Sequence, residues 1–284
     1  MATTTIPESK PASPAVAAHP QAATGAAGTL LAAATLWWRE IVRFYRQRSR
    51  VVGVIASPLL FWIVIGSGFG SSFRTTSGGG EHYLEYFFPG ALIMIVLFTS
   101  IFAMMSVIED RKEGFLLSVL VAPVHRAAIV LGKVLGGATL AAVQGMLFLI
   151  IAPFIGIHLG LEQMAVAALA IFLVAFALTA LGFVIAWPMD SSQAFHAVVN
   201  LFLIPLWLLS GALFPLSGAS GWMRMLMRAN PLTYGVDALR ITLFPGAASQ
   251  LPLWSSIGVL AAFSLAVFVL SFFIANRRST KAVA

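Results

Sequence analysis

The chain has 284 residues, of which 60% are hydrophobic and only 10% charged, with a net charge of +7 and no cysteine. Average soluble domains are about 25% charged, and a core this apolar could not cover itself with polar surface, so a water-soluble globule is excluded. The missing thiols exclude disulfides, thiolate metal sites and thiol chemistry, and the basic residues gather at the ends of apolar segments rather than in a nucleic-acid patch.

Residues 1–28 are mostly Ala, Pro, Thr and Ser, a composition that cannot bury enough surface to order itself, and they are expected to form a flexible tail. The apolar run 29–38 ends in Trp37-Trp38-Arg39-Glu40 and lacks a small-residue cleavage site, so no cleaved signal is expected. Over 29–50, Arg39, Arg43, Arg46 and Arg50 recur at helical spacing, with Trp37, Trp38, Ile41, Phe44 and Tyr45 mostly opposite. That pattern predicts a helix lying in the membrane interface. Trp38 would sit among headgroups and the arginines would face anionic lipid or a partner.

Six windows contain no Asp, Glu, Lys or Arg: 51–73, 86–108, 134–161, 163–189, 191–223 and 241–276. A helix needs roughly 20 apolar residues to cross the hydrocarbon. One charge at mid-bilayer costs about 2.5–3.5 kcal/mol, against about 0.3–0.6 returned by each Leu or Ile. The windows therefore predict an all-α polytopic membrane protein with spans near 51–69, 87–108, 130–155, 164–187, 194–212 and 253–275. With both termini placed in the cytoplasm and the tail 1–28 set aside, twelve Lys and Arg fall inside and four outside, as positive-inside bias requires. The spanning domain is 51–276, and 277–284 is a basic cytoplasmic tail.

Two connections are too long to be turns. The first, EDRKEGFLLSVLVAPVHR over 109–126, opens with five charges and continues with a Leu-rich patch. It suits a short cytoplasmic helix that starts near Glu113 and stops before Pro123. Its apolar face needs cover, from the rest of the chain or from a partner. The second, 211–252, mixes Leu and Arg and is broken at Asn230-Pro231. It reads as short amphipathic helices dipping into the outer leaflet, where irregular backbone is tolerated only under protein or beside a wet cavity. Asn230, Pro231, Leu232 and Tyr234 are the candidate external gate.

A P-loop needs GxxxxGK[ST]. The only Gly-Lys pair, Gly132-Lys133, is followed by Val134, and Ala127 stands where the first glycine belongs. The five histidines show no metal-ligand spacing, and neither HExxH nor GxSxG occurs. No catalytic residue and no cofactor or metal is assigned to the chain itself. Within the spans, Gln144 and Asn200 suit interhelical hydrogen bonding. Asn200, Pro205, Trp207 and Met104 are the candidate lining of a translocation path. Gly132xxxGly136 permits close helix approach. A lipid-modifying membrane enzyme is the alternative class, and its nearest ionisable pairs are His196 with Asp190 and Glu162 with His158. A passive channel is disfavoured because no span is amphipathic enough to line a water-filled pore.

The run Glu109-Asp110-Arg111-Lys112-Glu113-Gly114, Leu116 to Val121, Ala122-Pro123 and Arg126 resembles the cytoplasmic signature of type-2 ABC exporter permeases. Leu209-Ser210-Gly211, Phe214-Pro215-Leu216, Trp222, Asn230 to Tyr234 and Asp237 to Arg240 are similar to that family's second signature. The likeness covers 35–276 and is closest to the drug-resistance and nodulation-factor export branch. The family often has Pro shortly before Trp222, where this chain has Ser220-Gly221. The resemblance implies two permease copies in the inner (cytoplasmic) membrane, worked by separate ATP-binding subunits that hold ATP and Mg. Glu109, Asp110, Arg111, Glu113, Gly114, Leu117, Leu120 and Pro123 would couple to the ATPase. A path near spans 2 and 5 would carry a hydrophobic or amphipathic cargo such as a drug, lipid or lipid-linked glycan.

Overall fold

The computed structural model describes residues 26–46, 48–69, 83–121, 125–246 and 251–277. Among the described residues all regular structure is helical. In chain order the helices are α1 (Ala26–Arg46), α2 (Arg48–Phe69), α3 (Tyr83–Ala103), α4 (Met105–Lys112), α5 (Phe115–Val121) and α6 (Arg126–Leu149). They continue with α7 (Leu161–Ala186), α8 (Ser192–Leu208), α9 (Gly221–Ala229), α10 (Pro231–Leu243) and α11 (Leu253–Asn276). Pro123 and the tail 1–25 lie outside the described residues, as does most of the loop expected over 67–80.

Four runs are long and apolar enough to cross a membrane: Tyr83–Lys112, Arg126–Ile155, Leu161–Ala186 and Leu253–Asn276. Among the described residues these match the second, third, fourth and sixth expected spans; the first extends beyond both expected limits, and the second begins four residues early and ends where expected. The fifth expected span, 194–212, is shorter than expected. α8 stops at Leu208 after 17 residues, about 25 Å at 1.5 Å per residue, and Gly211 turns the chain just beyond it with φ +79°. α1 also begins before residue 29, the expected start of the ordered chain.

Local chemistry sets the helix ends. Gly114 takes φ +75° between α4 and α5, a left-handed turn that side-chain-bearing residues resist. Its N–H donates to the Arg111 carbonyl at 3.2 Å, closing α4. Ser191 Oγ accepts from Ala194 N at 3.4 Å to start α8. Asn230 Oδ1 accepts from Leu232 N at 2.9 Å, with Pro231 at the first position of α10, so the expected break at Asn230-Pro231 is present.

α3 is the central helix, with most of its side chains buried among α2, α6, α7 and α10. Lipid is as apolar as Leu, so membrane helices associate through close packing and hydrogen bonds. Both are present. Ser264 and Ser271 of α11 donate to the Leu173 and Ala180 carbonyls of α7, each at 3.1 Å. Thr99 Oγ1 lies 2.5 Å from the Gln144 amide and 2.8 Å from the Ile95 carbonyl. The shorter contact lies in the O–H···O range and below the N–H···O range, so the Thr99 hydroxyl donates to Gln144 Oε1. Gln144 thus joins α6 to α3.

α1 seats on the glycine pair of α6. A Cβ at Gly132 would stand 2.6 Å from Leu36 Cβ and 2.8 Å from the Ala33 carbonyl oxygen, and one at Gly136 would stand 2.8 Å from Glu40 Cβ. The partner of Gly132xxxGly136 is therefore the N-terminal helix. Gly132→Leu should prise α1 away at a cost of about 1–3 kcal/mol, checked as a lower unfolding midpoint in detergent. An unchanged midpoint would count against this contact.

Candidate functional site

At one end of the bundle, α1, α4 and α6 meet in a cluster of charge. Arg39 grips Asp110 with both guanidinium nitrogens, Nη1 to Oδ2 at 2.9 Å and Nη2 to Oδ1 at 2.7 Å. Arg43 donates to Asp110 Oδ1 at 2.7 Å and to Glu109 Oε2 at 2.8 Å. Lys133 donates to Glu40 Oε1 at 2.6 Å, to Ser106 Oγ at 3.1 Å and to Asp110 Oδ2. Asp110 and Lys133 are 0% and 1% exposed. In its inner part three cations face three carboxylates, Glu40, Glu109 and Asp110, the balance under which charge survives burial, and the exposed Glu113 adds a fourth carboxylate at the rim, 3.5 Å from Arg43. The hydrogen bonds to Asp110 hold the Arg39 guanidinium protonated beyond its usual range.

This geometry corrects two expectations. Asp110, Glu109 and Arg111 do not stand free for a partner: Asp110 is sealed, Glu109 is held by Arg43, and Arg111 bonds the Trp187 and Met189 carbonyls and the Asp190 carboxylate. Only Lys112 and Glu113 of that run are exposed. Nor does the arginine stripe face lipid as a whole. Arg39 and Arg43 turn inward while Arg46 and Trp38 stay exposed, and the Arg50 side chain lies outside the described residues. Of the expected headgroup aromatics, Phe44 is buried and Trp37 donates to Thr139 Oγ1 at 3.1 Å. Glu40 and Lys133 were missed. The signal was a lone acid inside an arginine-rich helix and a lone lysine inside a glycine-spaced apolar run.

α5 has two faces. Inward, the Arg39 guanidinium lies 3.7 Å over the Phe115 ring, and Leu116 packs on Leu36 and Ile129 beside Val119 and Trp187. Outward, Leu117, Leu120 and Val121 are exposed. The Leu-rich face is thus half covered by the chain itself. Beside it, an open cleft of about 600 Å³ is lined by Thr35, Trp38, Arg39, Arg43, Arg46 and Glu113.

At the far end, α10 collects the carbonyls that the end of α8 leaves over. Asn230 Nδ2 donates to the Leu206 carbonyl at 2.5 Å and Arg240 Nη2 to Gly211 at 3.0 Å, while Thr233 Oγ1 donates to the Met227 carbonyl at 2.6 Å and lies 3.3 Å from that of Leu209. Arg240 also lies 4.2 Å over the Tyr86 ring. α3 holds the same turn, since Tyr83 and Tyr86 hydroxyls donate to the Leu213 and Gly211 carbonyls, each at 3.3 Å. Leu232 is buried, and the Tyr234 hydroxyl donates to the Arg228 carbonyl at 2.9 Å. The four candidate gate residues are therefore together, with Thr233, Arg240, Tyr83 and Tyr86 added to them.

The four candidate path residues are not together. Asn200 and Pro205 lie on the exposed face of α8 with Leu201 and Ile204. Met104 is wholly buried, packed where Gly137 and Gly182 leave room. Trp207 is buried, donating to the Gly90 carbonyl at 2.9 Å. The ionisable groups a lipid enzyme would need have other partners: Asp190 bonds Arg111, His196 lies against the Phe102 ring, and His158 Nδ1 lies 3.1 Å from the Gly156 carbonyl.

Apolar helices of membrane-crossing length are thus joined by a charge cluster at one end and a hydrogen-bonded turn at the other. The sequence profile of the ABC-2 type transporter family matches residues 32–244, and the chain belongs to that family. It is similar to the transport permease ycf38 of Cyanophora paradoxa, 28% identical over 84% of this chain and 78% of that protein. The daunorubicin resistance ABC transporter permease protein DrrB1 of Streptomyces coeruleorubidus is 25% identical over 87% and 86% of the two chains. The inner membrane transport permease YadH of Escherichia coli strain K12 is 25% identical over 86% and 94%.

Proposed function

We propose that this chain is the permease subunit of an ATP-driven exporter in a cytoplasmic membrane. Two copies form the path, and each is worked by a separate ATP-binding subunit that holds ATP and Mg. α2 and α8 complete six spans, with both termini and the charged end in the cytoplasm. The observation that carries the reading is α5. It is fastened to α1 and α6 on one side while Leu117, Leu120 and Val121 are exposed on the other, within the stretch that matches the family. An exposed apolar helix of this size beside Lys112 and Glu113 suits a groove on a partner, with the two charges setting specificity at its rim.

The path would run along the exposed face of α8 at Asn200 and Pro205, and Asn230 to Tyr234 would gate its outer end. Arg46 and Trp38 would hold α1 at the membrane surface. The cargo is hydrophobic or amphipathic, of the drug, lipid or lipid-linked glycan kind. DrrB1, named for daunorubicin resistance, supports the drug class.

Glu113→Lys and Leu117→Asp test the reading. Leu117 is exposed and Glu113 keeps a rim pair with Arg43 at 3.5 Å, worth about 0–1 kcal/mol, so insertion and folding should be largely retained. Cargo-stimulated ATP hydrolysis by the reconstituted complex should be lost. Normal stimulation and export in both variants would overturn the assignment of α5.

A further inference from the structure

A groove of about 740 Å³ runs between the second half of α6 and the start of α7, on the side of α6 away from Phe148, which α2 covers through Trp62. Its wall on α6 is Thr139, Val143, Met146, Leu147 and Ile150, and its wall on α7 includes Met164 and Phe172. We propose that this groove holds one acyl chain of a bilayer phospholipid as a resident ligand.

Four observations select that occupant. The lining side chains are apolar apart from the Thr139 hydroxyl, and that oxygen already accepts from Trp37 Nε1. A polar ligand or peptide backbone would leave groups unsatisfied there, at a cost of about 1–3 kcal/mol each. The α6 wall from Thr139 to Ile150 spans about 16 Å at 1.5 Å per residue, close to half of a hydrocarbon core about 30 Å thick. That is the depth of one leaflet, so the groove suits a single chain and not a spanning helix. The rim is continuous with lipid-facing surface, because Leu147, Ile150 and Phe172 are themselves exposed large hydrophobics on spans. The groove ends at the turn carrying Gly156, His158 and Gly160, where the chain leaves regular structure and a headgroup can meet water. Met146 and Met164 on opposite walls give an adaptable lining, as unbranched thioethers do. The proposal needs α6 and α7 to span a bilayer and uses nothing else of the transport reading.

The test is photocrosslinking in nanodiscs of phosphatidylcholine carrying a mid-chain diazirine, with labelled residues mapped by mass spectrometry. The control surface is the exposed face of α11, at Leu265, Val269 and Phe273, taken as the reference for ordinary lipid contact. Labelling at Met146, Leu147 and Met164 is expected to exceed the control about tenfold, the ratio given by a site that holds a chain tenfold more tightly than bulk contact. Ala142→Phe, filling the groove from its floor, should bring it down to the control level. Met164→Trp is a second filling variant should the first fail to fold. Equal labelling of groove and α11, or groove labelling unchanged in a folded filling variant, overturns the proposal. So does a disulfide between copies formed from Leu147→Cys, which would place a second copy in the groove. The chain has no native cysteine, so that readout is clean.

Discussion

Lys133→Met is expected to be the most damaging single substitution at the charged end. Lys133 is the only cation that reaches both Glu40 and Asp110 from α6. Met keeps the length of the side chain and removes the charge. Glu40 is then left with Arg39 at 3.4 Å, and the cluster carries one uncompensated negative charge in a site closed to water. Breaking a buried pair from one side costs about 3–5 kcal/mol. For a chain of this size that is a fall of roughly 6–20 °C in unfolding midpoint. The companion variant decides between lost charge balance and lost packing. Lys133→Met with Glu40→Gln leaves Arg39 and Arg43 against Asp110 and Glu109, again neutral, and should recover part of the loss. A double variant whose loss equals the sum of the singles would show that charge balance is not what holds α1, α4 and α6 together.

That cluster also marks where the sequence stopped being legible. Charge-free windows located the spans because a bilayer penalises charge more steeply than it rewards any one apolar residue. The break before α5 was legible in Gly114 and the break before α10 in Asn230-Pro231, since those residue types act through local backbone chemistry. What the charges face is decided by tertiary packing. Arg39 and Arg43 form one stripe by spacing whether that stripe meets lipid, a partner or Asp110. Five consecutive charges look like a solvated surface, yet α4 carries Asp110 inward and leaves Glu113 out, at 0% and 60% side-chain exposure. Met104 and Asn200 show the same limit. A methionine and an asparagine in apolar helices are equally plausible lining residues, and only the glycines facing Met104 settle that it belongs to the core.

The arrangement explains why α5 can be both anchored and available. Its position depends on Arg39, which holds Asp110 along its edge and Phe115 on its face, a combination open to a planar guanidinium and closed to lysine. α3 continues into α4 with one non-helical residue, Met104, between them. Both ends of that run are occupied. The near end holds the charge cluster and α5, and the far end holds the turn after α8 through Tyr83 and Tyr86. A displacement of α5 therefore has a packed, hydrogen-bonded route to the candidate gate, and coupling along it is a matter for measurement.

Asn230→Ala is expected to loosen that gate, and the reason is the double duty of one amide. Its oxygen caps α10 through Leu232 N, and its nitrogen closes the Leu206 carbonyl at the end of α8. Losing the cap costs about 0.5–2 kcal/mol, and a buried carbonyl without a partner costs about 1–3 kcal/mol more. Asn230→Asp separates the two roles, since a carboxylate still accepts from Leu232 N and cannot donate to Leu206. If the α8–α10 joint is what closes the turn, both variants should expose it, whereas Asp should spare the cap. Ala219, buried in that turn, serves as the probe once replaced by cysteine in this cysteine-free chain. Its maleimide labelling should accelerate in Asn230→Ala and in Asn230→Asp alike. Acceleration in Ala but not in Asp would assign the closure to the cap of α10 alone, and no acceleration in either would show that Asn230 does not hold the turn.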